Sequence, residues 1–134
     1  MLKMKKNNLT RAVLLWLLVA SWMMFIFVLS AQSTFPVSLS KGGYDVVSSL
    51  AHVGLYFILA VIVIEAGIAS GYKRRQALAV ALIVCALYGA SDEWHQNFVP
   101  GREMGLSDWL LDVLAALIAI FFYSWLNRFK LTQR

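Results

Sequence analysis

Most side chains that could do chemistry lie in one stretch of this chain, from Ser91 to Arg102, and in the Ser107-Asp108 pair after it. Carboxylates and imidazoles can act as general acids and bases, and a guanidinium can bind a phosphate through two parallel hydrogen bonds. In a membrane protein such groups usually mark function, because a charge near the bilayer centre costs about 3 kcal/mol. The stretch therefore predicts one polar site. Its candidate members are Asp92, Glu93, His95, Gln96, Arg102 and Asp108.

Two further pairs place polar residues on neighbouring helices. His52 and Tyr56 are four residues apart and therefore lie on one face of a helix. Asp108 and Asp112 have the same spacing, and Asp112 lies one turn inside an apolar run. A carboxylate in that position needs a partner, which Arg102 or His52 would provide. Three helices are thus expected to direct polar side chains to one depth.

The elements that position these residues are membrane spans. The chain has 134 residues, of which 60% are hydrophobic and 14% charged, unlike a soluble domain. Only helices satisfy the backbone within lipid, and a span needs ~20 residues. We predict a single-domain, all-α integral membrane protein over residues 1–134, an antiparallel four-transmembrane-helix bundle. The predicted helices are about 12–30, 46–69, 77–94 and 107–127, the first being a retained span rather than a signal peptide.

The distribution of basic residues predicts the orientation of the bundle. Only Lys41 and Arg102 fall on the side that carries the polar stretch. By the positive-inside rule both termini are cytoplasmic, and the polar site faces the outer leaflet of the inner membrane. The net charge of +5 therefore reflects topology and gives no support to nucleic-acid binding. The basic residues of the opposite side are Lys3, Lys5, Lys6, Arg11, Lys73, Arg74, Arg75, Arg128, Lys130 and Arg134.

Glycine, proline and serine predict where the helices are connected. An outer loop is expected at residues 31–45, and Gly71 is expected to terminate the second helix at a tight inner turn. Pro100-Gly101 predicts a turn in the second outer loop, and Ser107 an N-cap for the fourth helix. Near the inner end, Glu65 is expected to extend toward Lys73, Arg74 or Arg75, a structural rather than a functional role.

The polar run resembles the VanZ-like family, which is named for an accessory teicoplanin-resistance protein. The similarity lies in the pattern Ser-Asp-Glu-x-His-Gln-x-Phe-Val-Pro-Gly-Arg over residues 91–102, with Ser107-Asp108 and the upstream His52-x₃-Tyr56. It extends from about Ser30 to Ala119. The resemblance implies a small multi-pass bacterial membrane protein, with a link to glycopeptide tolerance in the founding member, and no established reaction.

Carried over residue by residue, the resemblance supports a core of five site residues. The chain departs from the family at Asp112, where the family usually has an asparagine, and at Ala115 and Ala116, where it has glycines. Asp112 adds a negative charge, while the alanines still permit close helix packing. The five supported residues are His52, Glu93, Gln96, Arg102 and Asp108.

The first functional hypothesis is a cell-envelope protein that binds or handles a phosphate-bearing lipid or a lipid-linked wall precursor. Arg102, together with Lys41, would bind an anionic headgroup. Glu93, Gln96 and Asp108 would orient it or bind its sugar or amine portion. Asp112 and Tyr56 complete the expected ligand-binding set.

Two alternatives remain open at this point. One is a membrane-embedded hydrolase or transferase acting on such a lipid, with Glu93 or His95 as general base, His52 and Asp108 as further acid–base groups, and Arg102 stabilising developing charge. A metal on His52, Glu93, His95 or Asp108 is chemically feasible, but the spacing matches no known metal motif, so no metal or cofactor is predicted. The other is a non-catalytic partner of an envelope enzyme, in which the polar network only stabilises the bundle.

Overall fold

The computed structural model describes residues 6–32, 41–102 and 104–132. These residues form four α-helices and no strand. All four helices are long and apolar enough to cross a membrane. The predicted all-α bundle of four spanning helices is therefore confirmed. The helices are α1 (Lys6–Ser30), α2 (Lys41–Ala69), α3 (Arg74–Gln96) and α4 (Leu106–Thr132).

The helices are longer than the apolar runs from which they were predicted. Helix α1 begins at Lys6 instead of residue 12, and α4 continues to Thr132 instead of 127. Residues 41–45, predicted to belong to the outer loop, form the first turn of α2. Hydropathy reports the part of a helix that suits hydrocarbon, whereas helical hydrogen bonding can continue into the polar ends. The rest of that loop, residues 33–40, lies outside the described residues.

Helix α2 is the central element of the bundle. It packs against α1, α3 and α4, and α3 packs against α4. Helix α1 meets α3 at only a few positions, and within the described ranges it makes no close approach to α4. Leu14, Leu17 and Phe25 of α1 remain exposed, as expected for side chains facing lipid. One side of the bundle is therefore covered by α1 alone.

Small residues bring α3 and α4 close to the other helices. Ala77, Ala81, Cys85 and Gly89 recur every fourth residue of α3, and all are buried. On α4 the buried small residues are Ala115, Ala116 and Ala119. Without a hydrophobic driving force between helices in lipid, such close backbone packing is a principal source of association.

Two glycines with positive φ shape the connections, as predicted. Gly71 has φ 89° and follows the end of α2, where the Tyr72 N–H donates to the Gly67 carbonyl. Gly101 has φ 80° and follows Pro100, and the Arg102 N–H donates to the Val99 carbonyl. These features describe a type II turn, which directs the chain back toward the bundle.

The start of α4 differs from the prediction by two residues. The Gly105 carbonyl accepts hydrogen bonds from the Asp108 and Trp109 N–H groups, so Gly105 takes the N-cap position predicted for Ser107. Asp108 does lie in the first turn of α4, as predicted. There its charge is favoured by the helix dipole.

At the end of the bundle that carries the α2–α3 turn, Glu65 joins three helices. Its carboxylate accepts hydrogen bonds from the Arg11 guanidinium at 2.8 Å and from the Tyr123 hydroxyl at 2.7 Å. The predicted pairing with the basic residues of the α2–α3 turn is wrong. Arg74 instead donates to the Ser124 carbonyl of α4, at 3.0 Å. The partner of Glu65 is therefore set by tertiary packing and not by proximity along the chain.

Candidate functional site

The polar residues of α2, α3 and α4 meet near one end of the bundle. We define the polar cluster as His52, Asp92, Glu93, Gln96 and Asp112, all of which are buried. His52 lies six residues after Val46 and Asp112 six residues after Leu106, the first residues of their spans. At 1.5 Å per residue both are ~9 Å inside the span. The cluster is therefore a buried membrane site rather than a surface loop.

His52 and Asp112 connect α2 to α4. His52 Nδ1 and Asp112 Oδ1 are 2.9 Å apart, and the two side chains are 9% and 0% exposed. Of the two partners considered for Asp112, the structure selects His52. This contact joins two buried titratable groups that lie 60 residues apart in the chain.

The cluster members on α3 form hydrogen bonds with one another and with the loop before α4. Glu93 Oε2 accepts a hydrogen bond from the Gly105 N–H at 2.7 Å. Gln96 Nε2 donates to Asp92 Oδ2 at 3.3 Å and lies 3.5 Å from Glu93 Oε1. Glu93 thereby ties α3 to the N-cap residue of α4. The amide of Gln96 lies between two carboxylates.

Gly89 permits the close approach of Asp112 to α3. A Cβ atom at Gly89 would lie 2.9 Å from Asp112 Oδ2 and 3.3 Å from the Trp109 ring. Asp112 Oδ2 is fully buried and has no hydrogen-bond partner among the described residues. Gly89 is one helical turn before Glu93, so this oxygen lies against the α3 face that carries Glu93.

Three members of the cluster lie close enough together to bind one cation. Each of His52, Glu93 and Asp112 offers one ligand atom, and these three atoms lie within 4.8 Å of one another. The three residues come from three different helices, and all are buried. Imidazole and carboxylate groups are suitable ligands for divalent metals.

A small cavity opens beside the cluster, between α1, α2 and α3. Its volume is about 60 Å³, enough for a few water molecules. The residues of its polar lining are Ser30, Ser48, His52, Tyr56, Asp92, Gln96 and Arg102. Apolar residues form the rest of the wall, so the cavity has both a polar and an apolar side. These include Ile26 and Leu29 of α1 and Leu55 of α2.

Other predicted site residues lie around this cluster. The His95 ring stacks on Phe27 of α1, with ring centroids 4.2 Å apart. Asp108 is half-buried in the first turn of α4. Tyr56 is fully buried, and its ring is nearly parallel to that of His52 at a centroid distance of 6.4 Å. The side chain of Lys41 lies outside the described part of the structure.

Sequence reasoning missed the contributions of the first helix and of two glycines. Ile26, Leu29 and Ser30 line the cavity, although only Ser30 is polar. Gly105 donates to Glu93, and Gly89 makes room for Asp112. The sequence feature that could have identified Gly89 was an acid, Asp112, within one span and a glycine within the neighbouring span. No polar pattern in the first span distinguished its cavity-lining face.

Comparison with known proteins gives one match. The family model described as VanZ/LLP1 matches residues 14–127, and this range contains every member of the polar cluster. The resemblance recognised from the polar run is confirmed. No curated protein and no solved structure matches the chain.

Proposed function

Because the chain belongs to the VanZ/LLP1 family, we propose that it is a multi-pass protein of the bacterial cytoplasmic membrane that binds a phosphate-bearing lipid or lipid-linked wall precursor. The site is the cavity lined by Arg102, in the outer leaflet. This orientation follows from the basic residues of the α2–α3 turn, which lie at the other end of α2 and α3. Glycopeptide susceptibility is the cellular property that such an activity would affect.

The observation that carries the proposal is the composition of the cavity wall. Arg102 provides a guanidinium, which can engage a phosphate bidentately. Gln96 and His52 provide polar groups for the remainder of a headgroup, and Leu55 and Ile26 line the apolar side. A lipid combines the same two chemistries. The volume suits one phosphate group rather than a whole headgroup.

Access from the lipid phase is consistent with the helix arrangement. Helix α1 forms one wall of the cavity and touches α3 at only a few positions. A lipid could therefore reach Arg102 between α1 and α3 without separating α2 from α3 or α4. The headgroup would remain at the end of the span while its chains stay in the bilayer.

Native mass spectrometry from mild detergent tests this proposal. The Arg102→Ala variant should retain at least tenfold less of a co-purifying phosphate-bearing lipid than the wild type, because the guanidinium is the expected phosphate ligand. Arg75→Ala is the matched control, since Arg75 is exposed at the other end of the bundle and should retain the lipid. Equal lipid retention by Arg102→Ala and the wild type would contradict the proposal. Circular dichroism of both variants checks that they fold.

One observation favours an enzyme acting on such a lipid as the second candidate. A histidine oriented by a buried carboxylate, as in the His52–Asp112 pair, is a common arrangement for general acid–base catalysis. Glu93 would be the second titratable group and Arg102 the stabiliser of developing charge. On lipid-linked phosphate or ester substrates, His52→Gln should then lower turnover by at least 100-fold. Turnover that survives in both His52→Gln and Glu93→Gln would exclude this candidate.

A further inference from the structure

We propose that His52, Glu93 and Asp112 bind one divalent transition-metal ion, of the Zn²⁺ or Mn²⁺ class, at the junction of α2, α3 and α4. The set differs from the one considered from sequence, which contained His95 and Asp108 but not Asp112. His95 stacks on Phe27 instead. The proposal concerns metal binding by the protein itself and does not depend on lipid binding.

The distances within the triad are close to those of a metal centre. Metal–ligand bonds of ~2.0–2.2 Å place two ligands of one ion ~3–4 Å apart. The His52 and Asp112 atoms are 2.9 Å apart, and the ligand atoms of all three residues lie within 4.8 Å. Small side-chain movements would bring the three ligand atoms to the separations of a metal centre. The ion would replace the proton between His52 and Asp112.

An independent observation is the second oxygen of Asp112. The residue is 0% exposed, and within the described structure its Oδ2 atom has no hydrogen-bond partner. Because Gly89 has no side chain, this oxygen lies against the α3 face that also carries Glu93. A buried carboxylate oxygen without a partner is unfavourable. A cation between α3 and α4 would satisfy it.

The charges around the triad also favour a divalent cation. Asp92, Glu93 and Asp112 place three carboxyl groups in one buried cluster. Arg102, which lines the adjoining cavity, supplies one positive charge. A divalent ion and Arg102 would together offset the negative charge of these carboxyl groups. Such balance matters because buried charges require compensation.

Neighbouring groups already orient the proposed ligands. Gly105 donates its N–H to Glu93 Oε2, and Gln96 lies 3.5 Å from Oε1 of the same carboxylate. Hydrogen bonds of this kind fix ligand orientation in metal sites. One imidazole with two carboxylates suits Zn²⁺ or Mn²⁺ better than a soft, thiolate-seeking ion. His52 also lines the cavity, where water or a phosphate oxygen could complete the coordination.

The test is direct metal binding to the detergent-purified full chain. The protein is stripped with a chelator and titrated with Zn²⁺ or Mn²⁺ alone, in competition with a chromophoric chelator. The wild type should bind about one ion per chain, as confirmed by elemental mass spectrometry. Asp112→Asn, which preserves side-chain shape, should weaken the affinity at least 100-fold. Glu93→Gln is the second variant, should Asp112→Asn fail to fold.

Glu65→Gln is the matched control for this experiment. Glu65 is a half-buried acid of α2 at the end of the bundle opposite the triad, and it is not part of the triad. The metal affinity of this variant should remain within about threefold of the wild type. Co²⁺ substitution adds a spectroscopic readout, with d–d bands that Asp112→Asn alters. Absence of stoichiometric binding by the wild type, or equal losses in Glu65→Gln and Asp112→Asn, would overturn the proposal.

Discussion

At the scale of single residues, Asp112 determines the character of the polar cluster. It is an acid almost two turns inside a spanning helix, where a charge is costly. One of its oxygens contacts His52, and the other lies beside Gly89. The fit depends on the absence of a side chain at Gly89, because a Cβ atom there would also lie 3.3 Å from Asp112 Cβ, which is attached directly to the backbone of α4.

Gly89→Ala should therefore destabilise the protein by up to about 2 kcal/mol. The new methyl group would meet Asp112 Oδ2 at 2.9 Å. Overpacking costs ~1–3 kcal/mol, and the gain of ~1 kcal/mol that alanine brings to a helix offsets only part of this cost. Unfolding of detergent-solubilised protein with increasing denaturant measures the difference.

The control is Gly54→Ala on α2, where a Cβ atom would meet nothing within 4 Å. This variant should be as stable as the wild type or up to ~1 kcal/mol more stable, because only the helix propensity changes. Equal effects of the two substitutions would show that Gly89 is not needed for space.

At the scale of elements, α1 is the least constrained helix. Its polar contacts with α2 and the residue after it include the Arg11–Glu65 ion pair at 2.8 Å. They also include two hydrogen bonds at 3.0 Å, from Trp16 Nε1 to Ser70 Oγ and from Trp22 Nε1 to the Leu55 carbonyl. Tyr88 of α3 donates to the Met23 carbonyl. These contacts run along one side of α1. They leave the rest of its surface to lipid, as expected for a helix that touches the bundle through a single main neighbour.

Of the two hydrogen bonds that Glu65 accepts, the one from α4 should contribute more to stability than the one from α1. Tyr123→Phe removes a part-buried hydrogen bond and should cost about 1 kcal/mol. Arg11→Ala removes an ion pair whose arginine side chain is 62% exposed, and should cost between 0 and about 1 kcal/mol. Unfolding of the two variants under the same conditions ranks them. A larger loss of stability in Arg11→Ala would show that α1 stabilises this end of the bundle more than its packing indicates.

At the scale of the whole molecule, the distribution of charge predicts the orientation in the membrane. Basic residues gather at the N-terminus, the α2–α3 turn and the end of α4, while Lys41 and Arg102 lie at the opposite end. By the positive-inside rule we expect the polar cluster to face the outside.

Labelling of intact bacterial cells with a membrane-impermeant maleimide tests this orientation. Asn97→Cys, near the polar cluster, should react, whereas Tyr72→Cys in the α2–α3 turn should not. Both positions are exposed, and the natural Cys85 is fully buried and should remain silent. The reverse labelling pattern would place the cluster in the cytoplasmic leaflet and exclude an outer-leaflet lipid as its ligand.

Hydropathy and residue spacing were enough to predict the four spans and the polar residues that lie at one depth. Length and hydropathy define four spanning helices, because lipid requires every backbone group to be satisfied within a helix. A spacing of four residues placed His52 with Tyr56, and Asp108 with Asp112, on common faces. Turn chemistry located the bends at Gly71 and Pro100.

Which helix faces meet depends on tertiary packing, which the sequence pattern did not predict. Asp112 pairs with His52, which lies 60 residues earlier, and Glu65 pairs with Arg11 rather than with the nearby basic turn. His95, adjacent in sequence to the cluster, faces Phe27 of α1. Helical periodicity fixes the angle between residues of one helix but leaves free the rotation of each helix about its own axis. That rotation is set by close packing at small residues such as Gly89, where helices approach to side-chain contact.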